Sequence, residues 1–247
     1  MTEPAPELAA SFGRAAEAYE RGRPDWPPAV LDVLAFPDDA IVLDLAAGTG
    51  KLTRILVERY RRVVAVEPLD EMRALLERTV PTAEARAGRA EAIPAEDGEF
   101  DAVFVAQAFH WFATDEVVAE LARVMRPGAR LALLWNTLES SRFEPPLPAA
   151  YRARVRSLRE GVEFPFSDDR WRVALERGPF GELYEASVAH HRQVDGDTLV
   201  AQVASYSWVA RRPTAERRAI LRELRKLLPE ATYRQSLVAE LVWTERR

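Results

Sequence analysis

The sequence has no cysteine, which excludes disulfides and thiolate chemistry. Lysine is almost missing as well. Lys51 and Lys226 are the only two among 34 basic residues, so arginine carries the positive charge. That is a trait of composition and supports no functional argument. No apolar run approaches the ~18 residues that span a bilayer. The first residues, Met1-Thr2-Glu3-Pro4, lack the basic-then-apolar order of a secretory signal. The expected location is therefore cytoplasmic, with no membrane partner. Histidine occurs three times, at 110, 190 and 191. Neither these nor the acidic residues follow metal-ligand spacing, so no metal is expected. The net charge of −5 gives no overall attraction for nucleic acid. The pairs Arg211-Arg212 and Arg217-Arg218 are candidates for a local basic patch, though such pairs are more often a solvated helix face. No repeat, low-complexity segment or linker divides the chain, and a single domain over residues 1–247 is expected.

What is present is enough apolar material for one large core. Of the 247 residues 48% are hydrophobic, consistent with an α/β domain that buries roughly 70–75% of its unfolded surface. Residues 41–50 organise it. Ile41, Val42 and Leu43 lead to Asp44 and a small-residue turn, and a helical pattern starts at Lys51. An apolar run that stops at glycines reads as a buried parallel strand. The glycines let backbone approach a ligand and open a helix whose free N–H groups point outward. Asp44 is placed to accept a hydrogen bond from those groups or from a ligand ammonium. A second apolar run, residues 62–66, ends at Glu67 about 20 residues on, which suits a ribose diol.

The run Asp44-Leu45-Ala46-Ala47-Gly48-Thr49-Gly50 resembles motif I of the class I S-adenosylmethionine-dependent methyltransferases, Asp/Glu-x-Gly-x-Gly-x-Gly, with Ala46 at the first glycine position. Alanine there reads as a mild departure, one added methyl group. A nicotinamide fingerprint would need glycine at the sixth position from Gly48, where Thr53 stands. The resemblance covers about residues 8–137. Tyr19 and Arg23-Pro24 match a Tyr-x-x-x-Arg-Pro lid, which in relatives closes over the methionine end of the cofactor. Gly88-Arg89-Ala90-Glu91 matches an adenine-contacting loop in which Arg89 replaces the usual aspartate. Phe100-Asp101 before the fourth strand and Arg126-Pro127-Gly128 before the fifth are also shared. Gln107 falls where relatives approach the methionine part of the cofactor. The resemblance implies an α/β, Rossmann-like, seven-stranded doubly wound sheet with an N-terminal helical lid (1–36), a cofactor core (37–137) and a helical cap with the last strands (138–247). Its last two strands should form a hairpin with the seventh antiparallel. It implies S-adenosyl-L-methionine as cofactor and S-adenosyl-L-homocysteine as product. The implied cofactor-binding set is Tyr19, Arg23, Asp44, Ala46, Gly48, Gly50, Glu67, Pro68, Ala90, Glu91 and Gln107.

Periodicity places helices over residues 8–20, 29–36, 52–60, 72–80, 115–125, 143–160, 171–177, 197–209 and 214–228. Strands are expected over 41–45, 62–66, 83–87, 99–107, 130–135, 184–194 and 237–244. His110, in Ala108-Phe109-His110-Trp111-Phe112, is the one histidine on the expected active edge. It can act as a general base for a hydroxyl, orient substrate or bond to backbone. A carboxylate acceptor needs no base and should pair with an arginine, for which Arg23, Arg142 and Arg211 are candidates. Phe12, Tyr19, Phe109, Trp111, Phe112, Trp135, Trp171, Tyr206 and Trp208 either line a pocket or pack the core. The amino-methylating Asp/Asn-Pro-Pro-Tyr/Phe motif is absent, which argues against DNA. The run around His110 is similar to a subfamily that contains trans-aconitate-type carboxyl methyltransferases. The expected reaction is methyl transfer to a small-molecule oxygen. RNA or protein methylation and cofactor binding without turnover are the alternatives.

Overall fold

The computed structural model describes residues 15–34, 36–137, 141–161 and 170–247. The helix expected from residue 8 starts outside them, as does Phe12. The chain divides into two compact units, each made of three stretches: 1–24, 137–164 and 189–238 in the smaller, and 25–136, 165–188 and 239–247 in the larger. The segments expected as lid and cap therefore each contribute to both units. Among the described residues no helix is long and apolar enough to cross a membrane.

The larger unit begins with α2 (Ala29–Leu34), the smaller having taken α1 (Ala16–Gly22). There follow β1 (Ile41–Leu45), α3 (Thr53–Arg59), β2 (Arg62–Val66), α4 (Asp70–Thr79), β3 (Glu84–Arg86) and β4 (Phe100–Ala106). A 3-10 turn (Phe109–Trp111), α5 (Asp115–Val124) and β5 (Met125–Asn136) complete the run. β3, β2, β1, β4 and β5 lie side by side, all parallel, and residues 239–245 of β8 (Thr232–Glu245) pair antiparallel with β5. β7 (Tyr184–Asp195) pairs with β8. Apolar residues of opposite parity feed two cores. Leu43, Val103, Val105, Leu131 and Leu133 pack with Val117, Val118 and Leu121 of α5 and with Ala174 and Leu175 of α7 (Arg170–Arg177). Val42, Ala102, Phe104, Ala132 and Leu134 pack with α2 and with Leu52 and Leu56. A sheet covered on both faces needs the near-continuous apolar strands seen here. α5 starts where Thr114 Oγ1 accepts the Val117 N–H at 3.2 Å, an ordinary N-cap.

In the smaller unit β6 (Arg142–Glu144) pairs antiparallel with Arg234, Gln235 and Ser236 of β8. α6 (Ala149–Arg159), α8 (Gly196–Ala204), α9 (Ser207–Ala210) and α10 (Thr214–Lys226) surround a third core containing Tyr151, Leu158, Leu199, Val203, Trp208, Ile220 and Tyr233. Asp195 caps α8 by accepting the Thr198 N–H at 2.7 Å. α1 and α8 cross in tight contact. A Cβ on Gly22 would stand 2.1 Å from Gln202 N, so only glycine fits.

Five expectations change. Eight strands are described rather than seven, the addition being β6. Phe143 lies in that strand and not in a helix, because Pro145, Pro146 and Pro148 delay α6 to Ala149. The helix expected over 197–209 breaks at Ser205, whose hydroxyl donates to the Gln202 carbonyl at 2.7 Å. That bond competes with helix continuation, and Tyr206 is extended. β5 starts at Met125 instead of 130: Met125 pairs with Phe100, residues 126–129 bulge with Gly128 at φ +80°, and pairing resumes at Arg130↔Ala102. β8 starts five residues earlier than expected, at Thr232.

Gly22→Ala is expected to cost about 1–3 kcal/mol or more by overpacking. Gly181→Ala, whose Cβ would meet nothing closer than 3.5 Å, should be nearly neutral. Urea denaturation of both variants checks the pair, and a neutral Gly22→Ala would refute the close crossing.

Candidate active site

Strand order reverses at β1, which has β2 on one side and β4 on the other. In an open α/β sheet the crevice beyond the carboxyl ends at that point is where ligands bind. The turn after β1 occupies it. Ala46, Gly48 and Gly50 have φ of +57°, +59° and +86°. For the glycines this costs little. For Ala46 the left-handed conformation costs about 1–2 kcal/mol, so alanine at this position is more than one added methyl group. Gly50 also sits tightly, with a built Cβ 3.1 Å from Leu76 and Val80. Around Gly48 no atom lies within 4 Å of such a Cβ, so the turn faces open space there. Ala47 N–H donates to the Val66 carbonyl at 3.1 Å, joining the turn to β2.

Glu67, directly after β2, completes that joint. Its Oε2 accepts the Gly48 N–H at 2.9 Å and its Oε1 the Leu69 N–H at 3.0 Å. Pro68, exposed, lies between. Arg73 Nη1 donates to the Glu67 carbonyl at 3.1 Å. Burial raises the Glu67 pKa, while the Leu69 and Gly48 N–H groups and the Arg73 charge pull it back.

Asp44 lies inside the sheet, paired in register with Ala65 and Phe104, and is fully buried. Its Oδ2 accepts the Thr53 hydroxyl at 2.6 Å. Its Oδ1 is buried and has no hydrogen-bond partner among the described residues. Burial pushes the carboxyl up to about 7 against the Thr53 hydrogen bond, and the Glu67 charge adds to the rise. Thr53 escapes sequence reasoning, although it is the first residue of α3 and so one turn from the glycines. Lys51 is nearly buried, with Nζ 2.7 Å from Asp25 Oδ1.

The loop after β3 is held by α5. Ile93 N–H donates to Glu120 Oε1 at 2.7 Å, and Arg123 Nη2 donates to the Ile93 carbonyl at 3.0 Å. Arg123 also pairs with Glu120 and holds that carboxyl below its ordinary range. Ala90 is buried. Arg89 Nε lies 3.3 Å from Glu91 Oε2, so the residue that replaces the usual aspartate neutralises the neighbouring acid.

After β4, Gln107 is left-handed at φ +59°. Its N–H donates to the Leu134 carbonyl and its Nε2 to the Asn136 carbonyl at 3.1 Å. His110 lies in the 3-10 turn. Its Nδ1 accepts the Trp135 indole N–H at 3.2 Å, so the neutral ring carries its proton on Nε2. Burial lowers its pKa to about 4. Aromatic rings adjoin it: Trp111 at 5.5 Å from its centroid, and Trp135 at 5.2 Å from Trp171. The larger unit thus supplies Asp44, Ala46, Gly48, Gly50, Glu67, Pro68, Ala90, Glu91, Gln107 and His110. Tyr19 and Arg23 belong to the smaller unit, where the Arg23 guanidinium meets the rings of Tyr19 and Tyr206.

Asp44 has a stability consequence. Its folded pKa, about 7, lies above the ordinary 3.8, so the native state holds a proton that the unfolded state loses between those values. Stability from this group is full below about 3.8 and falls as pH rises to about 7. Asp44→Asn should therefore be more stable than the parent at pH 8, by at most ~4 kcal/mol, and the gain should shrink toward pH 4. Urea titrations at both pH values test this; an equal effect at each would contradict the raised pKa.

Comparison with known proteins agrees with this geometry. Residues 43–133 match a family model described as a methyltransferase domain. The sequence is 40% identical over 222 residues to an uncharacterized methyltransferase of Mycobacterium tuberculosis, covering 90% of this chain and 87% of that protein. It is 30% identical over 175 residues to a malonyl-[acyl-carrier protein] O-methyltransferase of Geobacter sulfurreducens, covering 64% and 62%. A solved structure of a candidate type II methyltransferase from Anaeromyxobacter dehalogenans is similar with a TM-score of 0.68 and 27% identity, covering 90% of this chain and 97% of that one. With that likeness running along nearly the whole sequence and the glycine turn set at the switch point, this chain belongs to the class I S-adenosylmethionine-dependent methyltransferases.

Proposed function

We propose that the protein transfers the methyl group of S-adenosylmethionine to an oxygen of a small molecule by direct displacement, and that this oxygen belongs to a carboxylate. One observation carries the cofactor half: at the end of the strand that leads into the Gly48 turn, Asp44 Oδ1 is a buried acceptor with no donor among the described residues. A buried polar atom without a partner is costly, and a ligand ammonium satisfies it. When bound, the cofactor supplies an electrophilic methyl carbon on a sulfonium with a neutral leaving group. Asp44 ionises to receive the ammonium. Glu67, beside Pro68, keeps a second lone pair on each oxygen for ribose hydroxyls. Ala46, Gly48 and Gly50 shape the turn, and Ala90 with Glu91 serves the adenine. Gln107 stands at the carboxyl end of β4 with its amide committed to Asn136.

His110 supports the acceptor half. A ring with a pKa near 4 and Nδ1 already engaged is a weak base for a hydroxyl. A carboxylate is an anion at neutral pH and needs none. In this reading His110 is a neutral ring beside the acceptor and takes no proton from it. The Geobacter relative is named for methylation at oxygen, which supports the same class of acceptor. The chain's remaining task is to hold nucleophile and methyl carbon about 3 Å apart in line and to exclude water.

Titration calorimetry should give micromolar binding of S-adenosylhomocysteine and none of NADH. Glu67→Ala should weaken that binding by about 1–3 kcal/mol. Affinity should fall by up to ~10-fold per unit as pH drops below about 7, since protonated Asp44 cannot pair with the ammonium; a flat profile would remove Asp44 from that role. With a carboxylate acceptor, His110→Ala should keep turnover within ~10-fold of the parent and leave its pH profile unchanged. A loss of ~100-fold or more would reinstate the base.

A further inference from the structure

We infer that Arg123 and Glu120 of α5 are positioning residues for the cofactor, holding residues 88–91 in the shape that receives adenine by gripping the backbone of the same loop. This rests on the reading of Ala90 and Glu91 as the adenine site and names what sets that site's geometry. Residues 87–98, between β3 and β4, form no regular element beyond one bridge between Arg89 and Ala92. A segment without a ladder must find other partners for its N–H and carbonyl groups. Charged side chains from outside the segment supply them. Three successive carbonyls accept from two guanidiniums: Ile93 from Arg123 Nη2 at 3.0 Å, Pro94 from Arg86 Nη1 at 2.7 Å, and Ala95 from Arg123 Nη1 at 2.9 Å. Two N–H groups go to carboxylates: Ile93 to Glu120 Oε1 at 2.7 Å and Glu96 to Glu99 Oε2 at 3.0 Å.

Arg123 spends all five of its donors here. Besides the two carbonyls, Nε and Nη2 meet the two oxygens of Glu120 at 2.7 and 2.8 Å, and Nη1 meets Asp97 at 2.7 Å. A rigid planar fork can hold two carbonyls and a carboxylate at once, which the single nitrogen of a lysine cannot. Its base is firm, since α5 packs on the core through Val117, Val118 and Leu121. The grip on residues 93–95 reaches residues 88–91 through close contacts. A Cβ on Gly88 would stand 2.5 Å from Pro94 Cδ, so the start of the loop lies against its clamped part. Ala92 N–H donates to the Arg89 carbonyl at 3.2 Å. Ala90 and Ile93 are buried in one core with Leu45 and Val66. A loop ordered this way before binding spares the ligand the entropy of ordering it.

The test compares the full chain with Arg123→Lys and with Asp97→Asn as control. Glu120→Gln, which keeps an acceptor for the Ile93 N–H, is the milder variant should Arg123→Lys not fold. Amide hydrogen exchange in the ligand-free protein reads the loop. Calorimetry reads S-adenosylhomocysteine beside S-inosylhomocysteine, whose base lacks the amino group of adenine. Arg123→Lys should speed exchange of the Ile93 and Glu96 amides by about 10-fold or more, with α5 unchanged. It should weaken S-adenosylhomocysteine by about 10-fold and S-inosylhomocysteine by less, so that the preference between them narrows. Asp97 is 82% exposed, and Asp97→Asn should change either affinity by no more than ~2-fold. Unchanged loop exchange in Arg123→Lys and Glu120→Gln would overturn the inference whatever binds. Equal weakening of both ligands would overturn it too, leaving the pair a structural staple. Faster exchange with both affinities intact would overturn it together with the adenine reading of Ala90 and Glu91. A parent that binds no S-adenosylhomocysteine defeats the proposed function and this inference with it; a result confined to the variants defeats the inference alone.

Discussion

The larger unit depends on one buried carboxylate. Glu67 accepts two backbone N–H groups, Gly48 before α3 and Leu69 before α4. It thereby fixes the end of β2 to the turn after β1. Burying the charge is costly, as the upward pull on its pKa records. Two N–H donors and the nearby Arg73 guanidinium offset that cost. The return is a turn held in left-handed conformation at three residues, including Ala46, which would otherwise relax. A loop proposed to accept a ligand at its backbone gains from being shaped before the ligand arrives. Glu67 shapes it beforehand.

Burial also redistributes chemical roles that residue types alone suggest. An aspartate is ordinarily an anion and a histidine ordinarily a base near neutrality. In this unit desolvation moves Asp44 up to about 7 and His110 down to about 4. The acid becomes the group that changes charge near neutral pH, and the ring becomes a neutral donor. The indole of Trp135 settles which nitrogen of His110 is protonated. None of this needs a change in residue identity; it follows from what surrounds each side chain.

The parts of the fold legible in the sequence are those decided locally. β1 and β2 fall at their expected boundaries because each is an apolar run between breakers. The Asp44-to-Gly50 turn and Glu67 were legible because spacing, strand and turn agree. What the sequence hid depends on partners far along the chain. β6 exists because the first half of β8 pairs with it, and the early start of β5 depends on Phe100. Thr53 under Asp44, Glu120 and Arg123 under the loop after β3, and Trp135 on His110 are pairings that only the folded sheet creates. Gly22 is the last residue of α1. Its φ is not left-handed; it is glycine because α8 leaves no room for a Cβ.

If Asp44 takes the ligand ammonium as proposed, its Oδ1, unpartnered among the described residues, makes ligand binding an exchange of cations. A proton leaves as an ammonium arrives, and the proton must go to the buffer. Heat measured below neutral pH will then include the buffer's own ionisation. The same binding reaction will look more endothermic or exothermic in amine and phosphate buffers at identical affinity. The slope of heat against buffer ionisation enthalpy counts the protons released, and so reads the state of one oxygen atom from outside the molecule.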